Sequence, residues 1–368
     1  MNKTLKVIIS GGGTGGHIFP AVAIANEIKA QKPDAEILFV GALGKMEMEK
    51  VPKAGYKIVG LPIVGFNRSN MLANVGFPFK LIKSLYLAYK VIKNFSPDIA
   101  IGVGGFASGP TLRMANLLGI KTLIQEQNSY AGVTNKILSK KAQKVCVAYP
   151  DMDKFFAKEK VVFTGNPVRK DLINSQIKSE DAKAFFGLEP DRKTLLIVGG
   201  SLGALSINKG IAKGLKELLN QDLQIIWQTG KTFIDQAKET VANLQTKRVY
   251  VSDFIYEMDK AYSAADLVVS RAGALSVSEL SLVGKASILV PFPFAAEDHQ
   301  TQNALSLTTK NAAVLVKDDK IADDLVDSIV NLAQNAGKLK ELSENIRKFA
   351  KPEAAKEIVA EVLKITQK

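Results

Sequence analysis

The sequence is short of the residue types that usually betray a site at a glance: one cysteine, two histidines and one tryptophan among 368 residues. A lone Cys146 rules out an internal disulfide and fits a reducing compartment, and its plainest reading is a small buried side chain. No apolar run approaches the roughly 20 residues that a membrane-spanning helix needs. The first residues run straight into the apolar segment Leu5–Ser10, leaving no room for a signal peptide. The expectation is a chain at work in the cytoplasm or against its membrane. Acidic residues are also in deficit, 36 against 49 lysines and arginines, a formal net charge of +13. That balance attracts polyanions, whether nucleic acid, an acidic lipid surface or phosphate-bearing substrates, although excess lysine can also serve solubility alone. With no basic run interleaved with aromatics and no zinc or helix-turn-helix pattern, nucleic acid is not an expected partner.

What is there is an ordinary globular composition, 46% hydrophobic and 23% charged, in a chain long enough for two cores. Short β-rich runs alternate with amphipathic helical segments, the pattern of parallel sheets covered by helices. In the first half the strand candidates are Leu5–Ser10, Glu36–Val40, Ile99–Val103, Lys121–Ile124, Lys144–Val147 and Val161–Phe163. In the second they are Thr194–Val198, Gln224–Gln228, Val249–Val251, Leu267–Ser270, Ser287–Val290 and Ala313–Val316. Each half opens alike, with an apolar strand, a glycine-rich turn and a helix, in Leu5–His17 and in Thr194–Asn208. The polar stretch Thr164–Asp171, punctuated by Gly165 and Pro167, reads as the hinge. After Ile321 the chain reads as helix. The fold class expected is therefore α/β, with two doubly wound Rossmann-like domains facing across a cleft. Domain 1–164 is the acceptor and membrane side, and domain 165–368 the donor side, its last helices free to pack back on the first domain. Ligands belong at the carboxyl ends of the strands.

Gly11, Gly13 and Gly16 satisfy G-x-G-x-x-G between a strand and a helix, so a dinucleotide enzyme has to be weighed. Such an enzyme also wants an acidic residue at the end of the next strand for the ribose hydroxyls. That strand ends Phe39-Val40-Gly41-Ala42, with Asp34 and Glu36 only at its start, so the dinucleotide reading loses its second support. His17 follows Gly16 in the first helical turn. A histidine is often structural, but one of two in the chain, set in a phosphate-type loop, is a candidate for chemistry. A second loop, Gly102–Pro110, follows the strand Ile99–Val103, and Ser108 with Pro110 reads as an N-cap and first-turn pair. Three such loops imply two anionic ligands or one long one; the bland alternative is tight strand–helix turns. Asp151-Met152-Asp153 matches the Asp-x-Asp string of metal-using transferases. Lying between Pro150 and Lys154, it reads better as a helix N-cap with a first-turn carboxylate, and no metal site is expected. In Met71–Phe95, Lys80, Lys83, Lys90 and Lys93 share one helical face, while Leu81, Leu85, Ala88, Ile92 and Phe95 form a core stripe. Phe77, Phe79, Ile82, Tyr86 and Leu87 lie toward the lysines or before the helix, a mixture suited to an anionic lipid surface or to a solvated face.

At Gly11–Ala25, Gly102–Pro110, Gln125–Lys136, Gly165–Arg169, Val198–Asn208, Ser270–Leu280 and Pro291–Ala304 the chain resembles the GT-B family of nucleotide-sugar transferases. Within it, the resemblance is to the branch that moves N-acetylglucosamine from UDP to a lipid-linked muramyl-pentapeptide in bacterial cell-wall synthesis. These segments span nearly the whole chain. The resemblance implies an inverting hexosyltransferase whose co-substrate is UDP-N-acetylglucosamine and which needs no cofactor. Its implied partners are the undecaprenyl-diphosphate-linked acceptor, an anionic membrane surface, and proteins of cell-wall synthesis and division, at the cytoplasmic face of the inner membrane. It implies that Thr14, Gly15 and Gly16 line the donor side, with Asn128 near the sugar, and that Arg169 and Ser201 meet the diphosphate. Ile255 would pack at uracil. Ala274, Leu275, Ser276, Val277, Ser278 and Glu279 would surround the nucleoside, with Glu279 accepting from the ribose diol, and Gln300 would recognise the sugar hydroxyls. Gly104, Gly105 and Ser108 would form the acceptor loop. Gln125 stands where many relatives would carry histidine, and Ser129 where glycine is frequent, which leaves local loop detail open. For the attack of the acceptor C4 hydroxyl on the sugar C1, His17 is the candidate base and Glu126 its competitor. A GT-B transferase with another acceptor, and a binding module without catalysis, are the alternatives.

Overall fold

The computed structural model describes residues 4–65, 75–168, 170–173, 176–200 and 202–367. Strands β1 (Lys6–Ser10), β2 (Glu36–Ala42), β3 (Lys57–Leu61), β4 (Ile99–Gly102), β5 (Lys121–Glu126), β6 (Lys144–Val147) and β7 (Val161–Phe163) form one parallel sheet in the order β3-β2-β1-β4-β5-β6-β7. Between them run helices α1 (Gly15–Gln31), α2 (Glu47–Lys53), α3 (Phe77–Phe95), α4 (Ser108–Leu117) and α5 (Val133–Ser139). After α6 (Lys170–Ile173) and α7 (Ser179–Phe185), a second parallel sheet is built from β8 (Thr194–Val198), β9 (Gln224–Gln228), β10 (Val249–Ser252), β11 (Leu267–Ser270), β12 (Ser287–Leu289) and β13 (Val314–Leu315), in the order β10-β9-β8-β11-β12-β13. Its helices are α8 (Leu205–Asn220), α9 (Ile234–Asn243), α10 (Met258–Ala264), α11 (Ala274–Val283), α12 (His299–Thr308), α13 (Ile321–Gln334) and α14 (Ala336–Arg347), and α15 (Ala354–Gln367) comes last. Both sheets are doubly wound. The strand order reverses beside β1 in one and beside β8 in the other, and ligand crevices open at such switch points.

The inner strands read as continuous apolar runs because helices cover both faces. Val7, Ile8 and Ile9 of β1 and Leu196 and Ile197 of β8 are fully buried. In α8 the buried residues Ile207, Ile211, Leu215 and Leu218 recur at helical spacing and face the core of the second sheet. β3 is the strand the sequence does not announce. It is five residues long and at the sheet edge, and only Leu61 is buried, so it lacks both an apolar run and clean alternation.

Contacts divide the chain into two units, residues 1–168 with 351–368, and residues 169–350. The division lies four residues past the expected 164/165 boundary, because the segment after β7 stays tied to the first unit: Asn166 donates to the Gln127 carbonyl at 3.0 Å and accepts from Gln125 at 2.8 Å. The helical stretch after Ile321 is three helices, not one. The last of them, α15, belongs to the first unit, where Ile358, Val359 and Val362 are buried in the same core as Ile24, Ile28 and Ile101. Burial of each such side chain contributes roughly 1.5–3 kcal/mol.

Along α3, Ser84, Ala88 and Ile92 are buried while Leu81, Leu85 and Phe95 are half-buried, so the core stripe is where helical spacing puts it. On the opposite side Phe79, Ile82 and Tyr86 are 76%, 65% and 56% exposed. Lys80, Lys83, Lys90 and Lys93 are exposed with them, and the Lys90 ammonium lies 4.7 Å from the centre of the Tyr86 ring. Residues 71–74 of the expected segment lie outside the described residues.

Candidate functional site

In the first unit the loops after β1 and β4 are neighbours, because those strands pair in register from Val7 opposite Ile99 to Ser10 opposite Gly102. Thr14 is extended and caps α1, which puts His17 in the first turn. The Thr14 hydroxyl and His17 Nδ1 are hydrogen-bonded at 3.2 Å. The imidazole lies against Gly104, where a β-carbon would come within 2.7 Å of the ring. His17, Thr14 and Gly104 are therefore brought together, and the ring is held by one nitrogen with the other toward the second loop.

Ser108 is placed differently from the expectation. It is the first residue of α4, not its N-cap, and it is fully buried. Its hydroxyl donates to the Ser10 carbonyl at 2.7 Å and to the Gly104 carbonyl at 3.0 Å. Two carbonyls within reach make the hydroxyl a donor, so it pins the loop and offers nothing to a substrate.

Glu126 ends β5 and is 2% exposed. One carboxylate oxygen accepts the Asn128 N–H at 3.0 Å, and the other accepts the Gly132 N–H at 3.0 Å and the Asn135 amide at 2.9 Å. Burial pushes its carboxyl above the ordinary range, and those donors oppose the shift by stabilising the ionised form. A carboxylate so occupied is a clasp for the 127–132 loop. Asn128 is held by it, its own amide 3.4 Å from Glu126 Oε1. Gln125, fully buried, meets the amides of Gln127 and Asn166, a neutral network that a titrating side chain would disturb. Cys146 is buried in the core, and burial pushes its thiol far up.

In the second unit the corresponding pair of loops follows β8 and β11, which also pair side by side. Gly200 and Gly203 adopt left-handed φ, of 86° and 80°. Gln228 ties this loop to the next, donating to the Gly200 carbonyl at 3.0 Å and accepting the Ile255 N–H at 2.9 Å. Ile255 itself is buried, while its neighbour Tyr256 is 75% exposed. Gly273 caps α11, so Ala274–Glu279 form that helix's first turns. Ala274 and Val277 are buried; Leu275, Ser276, Ser278 and Glu279 are half-exposed. Glu279 accepts from the Tyr262 hydroxyl at 3.1 Å, which fixes one carboxylate oxygen. Gln300 accepts the Phe292 N–H at 2.9 Å, so its NH2 group is the part able to donate to a ligand. Ahead of it, Glu297 and Asp298 both take left-handed φ, of 56° and 52°, a strained turn of the sort found at ligand sites. Arg169 and Ser201, expected at a diphosphate, lie outside the described residues.

Three side chains that spacing does not single out organise these loops. Arg271 donates to the Val290 and Pro291 carbonyls, to Asp318 and to the Ser206 hydroxyl, joining the β11 loop to the start of α8. Gln127 is buried and donates to the Val103 carbonyl at 2.8 Å. Glu47 returns from α2 to the end of β2 and to the first glycine loop. Glu47 is thus an acidic residue five positions beyond β2, but its buried carboxylate is taken up by backbone N–H groups and offers nothing to a ribose. Asp151 precedes a single 3-10 turn (Met152–Lys154) and Asp153 lies within it, and Asp151 is left-handed with no side-chain cap hydrogen bond. The expected helix N-cap is not formed there, because Asp151 takes a left-handed backbone where a capping residue is extended. Among the described residues no group of three His, Cys, Asp or Glu side chains is arranged to hold a metal ion.

Two doubly wound sheets, each with glycine loops at its switch point, make up the GT-B architecture. The chain belongs to glycosyltransferase family 28: the family's N-terminal domain matches residues 7–147 and its C-terminal domain residues 194–358. It is 57% identical, over all of its length and 98% of the relative's, to a UDP-N-acetylglucosamine–N-acetylmuramyl-(pentapeptide) pyrophosphoryl-undecaprenol N-acetylglucosamine transferase of Phocaeicola vulgatus. A protein of the same name from Porphyromonas gingivalis is 56% identical over all of this chain and 97% of its own. The crystal structure of Acinetobacter baumannii MurG is similar with a TM-score of 0.81 and 33% identity, covering 98% of this chain and 99% of that one.

Proposed function

We propose that this chain transfers N-acetylglucosamine from UDP-N-acetylglucosamine to the C4 hydroxyl of lipid-linked N-acetylmuramyl-pentapeptide, with inversion at the sugar C1, in peptidoglycan synthesis. The observation that carries the reading is 57% identity running through both units to a relative named for that transfer. In this reading the second unit holds the donor. The half-exposed face of Ala274–Glu279 surrounds the nucleoside, Glu279 accepts from the ribose diol, and the Gln300 NH2 group donates to the sugar. Ile255 shapes the uracil pocket from behind. The Gly104–Gly105 loop receives the acceptor, with Thr14, Gly15, Gly16 and Asn128 toward the sugar. His17 is the base: in the tautomer that donates Nδ1–H to the Thr14 hydroxyl, Nε2 takes the proton of the attacking hydroxyl. The test is transfer of labelled sugar from UDP-N-acetylglucosamine to the lipid-linked acceptor. In the same preparation, UDP at a hundred times its Kd should stabilise the protein by about 2.7 kcal/mol, and NAD should not. Equal protection by NAD with no sugar transfer would sink the reading.

The leaving diphosphate can be met by the N-termini of α8 and α11 and by Arg169, so no metal is needed for its charge. Activity is accordingly expected to persist in excess EDTA. Complete loss, restored by magnesium or manganese, would return Asp151 and Asp153 to consideration as ligands.

The lipid acceptor requires a place at the membrane, and no helix among the described residues is long and apolar enough to cross one. We place the chain as a peripheral protein on the inner face of the cytoplasmic membrane, held by the exposed side of α3. Each lysine near an anionic surface contributes about 1 kcal/mol, so reversing Lys83 and Lys90 to glutamate should cut binding to anionic vesicles by an order of magnitude or more. Binding should weaken with salt, and turnover of a short-chain soluble acceptor should stay near normal. Unchanged sedimentation with vesicles would leave α3 as a solvated face.

A further inference from the structure

We propose that Glu47 is a positioning residue for the transfer: its carboxylate occupies the first glycine loop as a built-in anion and, through Gly13 and Thr14, sets the ring of His17. In doubly wound folds the N–H groups after the first strand are the donors that meet a phosphate. Here the Gly13 N–H donates at 2.8 Å to Glu47 Oε2, and the Ala42 N–H, at the end of β2, donates at 2.9 Å to Oε1. The side chain is 1% exposed, so no ligand competes for it. The backbone is shaped around it: a β-carbon at Gly12 would fall 2.2 Å from the carboxylate carbon, and one at Gly41 2.6 Å from Glu47 Cγ. Gly13 adjoins Thr14, whose hydroxyl is the partner of His17 Nδ1 at 3.2 Å. The carboxylate is therefore one residue removed from the group that orients the imidazole.

Two things follow. The Gly13 N–H, already donated to Glu47, is not available to a phosphate oxygen of the acceptor. And the direction in which His17 Nε2 points depends on an anion that touches neither substrate. The functional half of this proposal rests on His17 as the base; the structural half does not.

The chain has only two histidines, so 15N-histidine spectra contain one ring to watch and one control. Glu47→Gln keeps the shape but turns an NH2 group toward one of the two N–H donors, which must then shift. The ring signals of His17 and their titration should move while those of His299 stay. The kcat should fall tenfold to a hundredfold at unchanged KM for UDP-N-acetylglucosamine, the penalty of a displaced catalytic group. Glu47→Asp keeps the charge but is one methylene too short to reach both donors, and should recover part of the loss. If Glu47→Gln does not fold, Glu47→Asp alone gives both readings against the wild type. Unmoved His17 signals in folded variant, or a kcat that falls only with the folded fraction, overturns the proposal. A His17→Ala enzyme with full turnover ends the base assignment instead, and leaves the spectral result to decide what Glu47 does to the ring.

Discussion

His17→Ala is expected to lower kcat by about a hundredfold or more and to leave donor affinity near the wild-type value, since removal of a general base costs turnover and not ground-state binding. The expectation rests on position. The ring is anchored through Nδ1 to Thr14, lies on Gly104, and sits in the first turn of α1. Glu126→Gln is the companion experiment. The four donors on its carboxylate make it a clasp, so the amide should destabilise the unit by about 1–3 kcal/mol, the cost of leaving buried donors mispaired. Thermal unfolding reads that loss separately from turnover. If Glu126→Gln loses kcat without losing stability while His17→Ala keeps its turnover, the two roles are reversed.

The second large effect should come from the glycine loops themselves, one in each unit. Gly203 has φ 80°, and a β-carbon on it would lie 2.1 Å from the Thr229 carbonyl oxygen. That carbonyl is held in place by the Asn208 amide at 2.7 Å and cannot yield cheaply. Gly203→Ala therefore adds roughly 1–2 kcal/mol of left-handed strain to a backbone collision, and the loop must move. UDP affinity, read by calorimetry, should fall at least tenfold. Gly105 has φ 85°, and a β-carbon there would meet the Gly12 carbonyl at 2.3 Å. Gly105→Ala should raise the KM of the lipid-linked acceptor and lower turnover while UDP binds as before. The same UDP affinity in both variants would mean that donor and acceptor do not divide between these loops as proposed.

Much of this arrangement is legible in the chain, for identifiable reasons. Strands such as Thr194–Val198 and Leu267–Ser270 carry continuous apolar runs, Leu195–Val198 and Leu267–Val269, because both faces are covered, and a glycine follows each within three residues. α3 declares its core stripe through Leu81, Leu85, Ala88 and Ile92. What stays hidden is whatever depends on a partner distant in sequence. Ser108 has the look of an N-cap until β1 supplies its carbonyl acceptor 98 residues away. Glu47 is an ordinary glutamate in a lysine-rich segment until α2 folds back on Gly13, 34 residues earlier. Glu126 shows the same limit from the other side: its place beside Asn128 is legible, but the four donors that turn a candidate base into a clasp appear only when the loop closes.

The return of α15 to the first unit has a consequence for how the chain is made. Synthesis delivers residues 1–168 first, yet the core they build is finished by Ile358, Val359 and Val362, which reach it last. Residues 169–350 are contiguous and can close as soon as they leave the ribosome, with no later segment to wait for. The part of the protein translated earliest is thus the part completed latest, and until α15 arrives α1, which it packs against, lacks part of its cover. The half that carries His17 becomes fully packed only when nearly the whole polypeptide exists.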